Sequence, residues 1–85
     1  MSSRMYEITI PVSCGRYETL RTDRIEQLVW VKTGWLLGIA YGSRVENYYL
    51  DNDSAIRTPE GKLYSAGKFP MLSELLNLEK SLEEL

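Results

Sequence analysis

The chain has 85 residues, of which 44% are hydrophobic and 26% charged, and its formal net charge is −2. These values are ordinary for one globular domain and lack the strong positive charge of a dedicated nucleic-acid-binding protein. The sequence holds neither an apolar run of 18 residues nor a leader-like apolar stretch near its start, so it predicts a cytoplasmic protein that does not span a membrane. We expect a single domain over residues 1–85, with a β-rich body over 1–70 and a helix over 71–85.

The residues that usually carry catalysis are scarce. Histidine is absent, which removes the commonest general base and the commonest metal ligand, and Cys14 is the only cysteine. A phosphate-binding Cys-x5-Arg loop beginning at Cys14 would need an arginine where Leu20 stands. The sequence therefore predicts a protein that is not an enzyme and binds no cofactor, with Cys14 in a turn.

The most acidic loop does not have the spacing of a calcium site. Asp51 and Asp53 could begin such a loop, but its glycine and its final glutamate would fall at Ile56 and Lys62. Aspartates at this density are common in turns, where their side chains bond the backbone. We expect a turn here and no metal site.

Most of the body is predicted to be strand. Residues 5–12 alternate between apolar and polar side chains, which indicates a half-buried strand, whereas residues 17–22 alternate weakly and fit a loop or a short edge strand. Further predicted strands are 45–50 and a small hairpin of 55–58 with 62–65.

Residues 28–41 are the organising element of the predicted body. Two runs of β-branched and aromatic residues flank Thr33-Gly34, which predicts a hairpin that turns there. In that register Lys32 lies opposite Trp35. Both faces of the hairpin are apolar; one carries Val29, Val31, Leu36, Gly38 and Ala40, and the other Leu28, Trp30, Lys32, Trp35, Leu37, Ile39 and Tyr41.

The first half of this hairpin has a second interpretation. Asp23 followed by Glu26 could cap a short helix over residues 23–32. The β-branched residues Val29 and Val31 favour a strand instead, which is the interpretation we prefer.

The spacing of apolar residues changes from that of strands to that of a helix near Pro70, and proline is well suited to the start of a helix. Leucines then follow one another at spacings of three, four and three, as they do along one stripe of a helix: Leu75, Leu78, Leu82 and Leu85. We expect this helix to pack on the sheet or on a twin. The same stripe is the predicted oligomer contact, because its spacing is that of helices that pack on each other.

The expected fold is α+β: a small antiparallel sheet of four to six strands, or an SH3-like partly closed barrel, with a C-terminal amphipathic helix. Apolar surface in excess of what one helix covers predicts a small non-enzymatic protein–protein interaction module, which acts as a regulator or inhibitor by occupying a partner's surface. A homodimer would cover the same surface. The predicted interaction residues are aromatic: Trp30, Trp35, Tyr48 and Tyr49.

Two other functions remain open at this point. Basic residues interleave with aromatic ones, as in small β-barrels that stack nucleic-acid bases, although acidic residues are nearly as frequent. The chain could also be a subunit that contributes to an active site shared with another protein. Binding to a protein partner is the preferred prediction.

Overall fold

The computed structural model describes residues 5–32 and 34–83, which form two antiparallel sheets and one α-helix. The elements are β1 (Tyr6–Ser13), β2 (Arg16–Thr22), β3 (Ile25–Val31), β4 (Gly34–Tyr41), β5 (Arg44–Leu50), β6 (Ala55–Arg57), β7 (Leu63–Ser65), a 3₁₀ turn (Ala66–Lys68) and α1 (Phe69–Glu83). One sheet has the order β2-β1-β6-β7 and the other β3-β4-β5, and they are not closed into a barrel. The predicted antiparallel sheet with a C-terminal helix is confirmed, with seven strands in the described residues instead of four to six.

The core lies where the inner faces of the two sheets meet α1. Alternation along each strand sends every second side chain inward, as predicted for β1. Six strands and the helix contribute buried apolar side chains: Ile8, Ile10, Ile25, Leu28, Leu37, Ile39, Leu50, Ile56, Tyr64, Phe69, Leu72 and Leu76.

A buried threonine ties the two sheets together where β2 runs into β3. The Thr22 hydroxyl lies 2.9 Å from the Ala40 carbonyl oxygen and 3.0 Å from that of Arg24, and it accepts a hydrogen bond from the Arg24 N–H. The Ala40 N–H in turn donates to the Arg24 carbonyl at 3.1 Å. This corner fixes how the first sheet meets the second.

The β3–β4 hairpin has the predicted strands but a different register. Val31 pairs with Gly34 and Trp30 with Trp35, so the predicted pairing of Lys32 with Trp35 was wrong. Gly34 begins β4, and the turn contains Lys32, whose φ is +50°. The other predicted turn residue, Thr33, lies outside the described residues.

The predicted faces of this hairpin are nevertheless correct for the residues that lie in β3 and β4; Lys32, predicted on one of them, lies in the turn. The register error moves the pairing by two residues, and only an odd shift exchanges the faces of a strand. At the start of β3 the pairing shifts between Ile25 and Gln27, which puts Ile25 on the same inward face as Leu28. The preference for a strand over a helix in residues 23–32 is confirmed.

The β1–β2 hairpin turns at Cys14 and Gly15, between the paired residues Ser13 and Arg16. Both turn residues have positive φ, +45° and +76°, as a type I′ turn requires. Asparagine tolerates this conformation better than cysteine does, whereas a β-branched residue tolerates it worse.

We therefore expect Cys14→Asn to raise the free energy of unfolding by about 0.5–1 kcal/mol. Cys14→Val, the control at the same exposed position, should lower it. Urea unfolding measures both. A Cys14→Val protein as stable as Cys14→Asn would show that turn conformation does not limit stability here.

Within the described residues, no helix is long and apolar enough to cross a membrane.

Candidate interaction surfaces

Helix α1 covers the free edge of β3 and caps it with two polar side chains. The Ser73 hydroxyl donates to the Leu28 carbonyl at 2.8 Å, and Lys80 Nζ donates to the Glu26 carbonyl. These carbonyls point away from β4, where they would otherwise lack a strand partner. The packed side of the helix is thus part apolar and part polar, with Phe69, Leu72 and Leu76 buried.

The leucines predicted to cover the sheet lie on the opposite side of the helix. Leu76 and Leu78 are separated by about 200° around the helix axis. Leu75, Leu78 and Leu82 are 45%, 61% and 70% exposed, and Met71 beside them is 56% exposed. We call these four side chains the outer helix stripe. Leu85, the last residue of the predicted stripe, lies outside the described residues.

The prediction that this stripe packs on the body's own sheet was therefore wrong, because Phe69, Leu72 and Leu76 occupy that position. The alternative, that it packs on another molecule, stays a prediction.

Acidic side chains flank the outer helix stripe. Glu74 and Glu79 are both exposed, and in heptad terms they hold the g and e positions beside the a/d stripe. Lys80, the basic residue of this helix, is turned inward to β3. The exposed helix face is consequently apolar in the middle and negative on both sides.

The two tryptophans lie together at the turn end of the β3–β4 hairpin. Trp30 and Trp35 are cross-strand neighbours with ring centroids 5.5 Å apart at 71°, and Trp35 makes a second edge contact with Phe69 at 5.9 Å. Trp35 is half-buried, whereas Trp30 is 59% exposed. Trp35 therefore belongs mainly to the core, and Trp30 is the ring presented to solvent.

The two predicted tyrosines do not complete a single aromatic site. Tyr48 lies on the inward face of β5 and is half-buried; burial, followed by neighbouring Tyr41 and Glu46, raises its pKa. Tyr49 points to the other face and is 70% exposed. The four predicted interaction residues are thus divided between two faces, with Trp30 and Tyr49 the accessible members.

Tyr49 belongs to an uncovered apolar row on the outer face of the second sheet. Val29, Leu36 and Tyr49 are paired across its three strands. In the next row a side chain on Gly38 would come within 2.9 Å of Gln27 Cγ and 3.1 Å of Asn47 Oδ1. Glycine at this position therefore lets the two amide side chains approach each other over the strand.

A groove of about 630 Å³ lies between the start of β1, the β2–β3 connection and the middle of α1. Its lining includes Tyr6, Asp23, Glu26 and Glu79. Burial, and then the carboxylates of Glu79 and Glu60, raise the pKa of Tyr6. The groove also contains Arg24, 2.8 Å from Glu26, so its charged lining is mixed, and a protonated tyrosine hydroxyl at neutral pH does not act there as a base.

A second polar cluster joins β2 to the loop after β5. The Tyr17 hydroxyl donates to Asp51 Oδ2 at 3.0 Å and lies 3.3 Å from Asp53 Oδ2. The hydrogen bond to Asp51, together with desolvation and the two carboxylates, raises the pKa of Tyr17 to about 12. Desolvation opposes ionisation of Asp51, but hydrogen bonds from Tyr17, Asp53 and Ser54 outweigh it and lower the pKa of Asp51. The predicted acidic turn is confirmed, and its aspartates hold the turn and a tyrosine.

We expect Tyr17 to titrate near pH 12 and its midpoint to fall toward the ordinary 10.0 in Asp51→Asn. The phenol is held in its protonated form in the folded protein, so its contribution to stability is present below pH 10 and is lost as pH rises toward 12. NMR titration of the labelled ring measures the midpoint, with Tyr17→Phe to assign it. An unchanged midpoint in Asp51→Asn would contradict the role given to Asp51.

The basic side chains weighed for nucleic-acid binding are largely paired with glutamates. Arg21 and Arg57 both contact Glu7, at 3.1 and 4.0 Å. Arg24 lies 2.8 Å from Glu26, and Arg44 lies 3.7 Å from Glu46. Surface pairs of this kind add little stability, but they reduce the positive potential that phosphate groups would meet.

Across the described ranges, no three His, Cys, Asp or Glu side chains are grouped as a metal ion would need. Comparisons with models of protein families, with curated proteins and with solved structures found no match to this chain. The candidate surfaces are therefore interpreted from their own chemistry.

Proposed function

We propose that this chain is a small protein–protein interaction module whose outer helix stripe docks on a partner protein, where it acts as a regulator or inhibitor by occupying the partner's surface. The observation that carries the proposal is that α1 has two apolar sides, of which the body covers only one. A helix with a single packing partner is expected to be polar on its exposed side. Here Leu78 and Leu82 are more than half exposed.

The flanking charges indicate what kind of partner fits. In a parallel pair of α1 helices, Glu74 of one chain would face Glu79 of the other, and like charges at these positions disfavour pairing. A partner that offers an apolar groove or helix face with lysine or arginine on both sides would instead form ion pairs with the same residues. We therefore favour a basic-edged partner over a twin for this stripe.

Such docking does not require the SH3-like arrangement, which stays a prediction. The nucleic-acid alternative is less well supported, because Arg21, Arg24, Arg44 and Arg57 already lie beside glutamates. A shared active site would need catalytic groups from another subunit, and it is not the reading we favour.

Photo-crosslinking from the helix tests the proposal in an extract of the organism that encodes the chain. A crosslinking amino acid at position 78 should capture a partner through a segment with an apolar face edged by Lys and Arg. The double variant Leu78→Glu/Leu82→Glu should weaken binding of that purified partner by at least about tenfold. Asn77→Glu/Ser81→Glu adds the same two charges beside the stripe at exposed positions, and serves as the matched control.

Two results would overturn the proposal. One is a partner that binds the wild-type chain and Leu78→Glu/Leu82→Glu equally well. The other is a crosslinked segment without basic residues, which would remove the argument from charge. Binding that weakens as salt rises would support the predicted ion pairs.

A further inference from the structure

The second sheet has two long edges, formed by β3 and β5. The β3 edge is capped by Ser73 and Lys80. Strand β5 pairs with β4 along its whole length, from Arg44 to Leu50, and its other side has no strand partner in the described residues. An uncovered strand of seven residues is a template for pairing with another strand.

The hydrogen bonds of the helix show which β5 groups point outward. In an antiparallel sheet each residue directs its N–H and C=O to the same side, and the direction alternates along the strand. The Leu28 carbonyl points to Ser73 and therefore away from β4. Its paired residue on β4, Leu37, accordingly directs its N–H and C=O away from β3 and toward Tyr48 on β5. By alternation, the backbone groups that point to the open edge belong to Val45, Asn47 and Tyr49.

We propose that two copies of this chain associate through their β5 edges, antiparallel and about a two-fold axis, with Asn47 opposite Asn47 of the second copy. In this register the outward residues of one copy meet the outward residues of the other, and the three opposed pairs exchange about six backbone hydrogen bonds. The two three-stranded sheets then form one continuous six-stranded sheet.

The side chains are self-complementary in this register. On the outer face Val45 lies opposite Tyr49 of the second copy, and both are more than half exposed, at 52% and 70%. Asn47 lies opposite itself, and an amide both donates and accepts. On the inner face Glu46 lies opposite Tyr48, so no like charges oppose each other.

Strand β2 forms a long edge of the first sheet, and this edge fits self-pairing less well than the β5 edge does. Three of its seven residues are charged (Arg16, Glu18 and Arg21). Its large exposed apolar side chain, Tyr17, has its hydroxyl held by Asp51 and Asp53. Charged edges resist strand addition, so the β5 edge is the one that the observations favour.

Sedimentation equilibrium from about 10 µM to about 1 mM, the range of weak to moderate association, tests the pairing. We expect the mass to rise from 9.8 kDa to twice that value. Val45→Lys/Tyr49→Lys places lysine opposite lysine and should weaken association by at least about tenfold. Val45→Lys/Tyr49→Glu places lysine opposite glutamate at the same sites, and should restore it.

Both substituted positions are exposed, so we expect both double variants to be folded. Circular dichroism checks this. A constant mass of 9.8 kDa for the wild-type chain would overturn the proposal, as would equal association of the two double variants. Leu78→Glu/Leu82→Glu should still dimerise. If that variant alone were monomeric, the contact would lie on the outer helix stripe and the β5 proposal would fail. The proposed function is decided separately, by the crosslinking and partner-binding measurements described for it.

Discussion

A chain that ends at Pro70 should not fold. The truncation removes Leu72 and Leu76 from the core, and burial of a leucine side chain contributes roughly 1.5–3 kcal/mol. It also uncovers the Glu26 and Leu28 carbonyls, which Ser73 and Lys80 cap in the intact chain. The combined loss is comparable with the about 5–15 kcal/mol that stabilises a small domain.

Circular dichroism and amide chemical shifts of the truncated chain measure this result directly. We expect disordered spectra or aggregation. A soluble, folded product with the melting temperature of the intact chain would show that α1 is not needed to complete the core.

The second large effect is a contrast between two leucines on the same helix. Leu72→Ala should lower the free energy of unfolding by about 2–5 kcal/mol, because it leaves a cavity between α1 and the sheet. Leu78→Ala should change it by no more than about 0.5 kcal/mol, because that side chain is already exposed to water. Alanine has the same helix propensity at both positions, so the difference isolates burial.

Urea unfolding of the two variants provides the comparison. If Leu78→Ala were as destabilising as Leu72→Ala, the outer helix stripe would have to be packed within the monomer, and the proposed docking surface would be lost with it.

The strands were predictable because their alternation is physical: one face of each strand meets a core. The register of the β3–β4 hairpin was not, because the prediction centred the turn on Gly34, the residue with most backbone freedom. The structure instead gives Lys32 a left-handed backbone conformation, which a lysine in a sequence does not indicate. A shift of two residues left the faces intact, so the apolar surfaces were predicted better than the pairs.

The helix was predicted in the right place but with the wrong side inward. Its sequence contains two apolar stripes, one through Leu72 and Leu76 and the other through Leu75 and Leu78. The longer one looked like the packed side. What decides the matter is the β3 edge, whose carbonyls need donors, and the donors Ser73 and Lys80 lie on the shorter stripe.

The candidate aromatic site shows a different failure. Tyr48 and Tyr49 are adjacent in a strand, and adjacent strand residues point to opposite faces. That rule was available from the sequence and separates the pair. The exposure of Trp30 against the half-burial of Trp35 was not, because it depends on where Phe69 lies.

Because the β3 edge is capped, the second sheet has one edge, β5, at which a further strand can add. In the language of polymer chemistry, a unit with two reactive ends grows into a chain without limit, whereas a unit with one end stops after a single coupling. Ser73 and Lys80 block one end of the β3-β4-β5 sheet, so coupling at the β5 end yields a finite product of two copies. Without those two caps the sheet could pair with another copy at both of its edges, and successive copies could add end to end into a fibre.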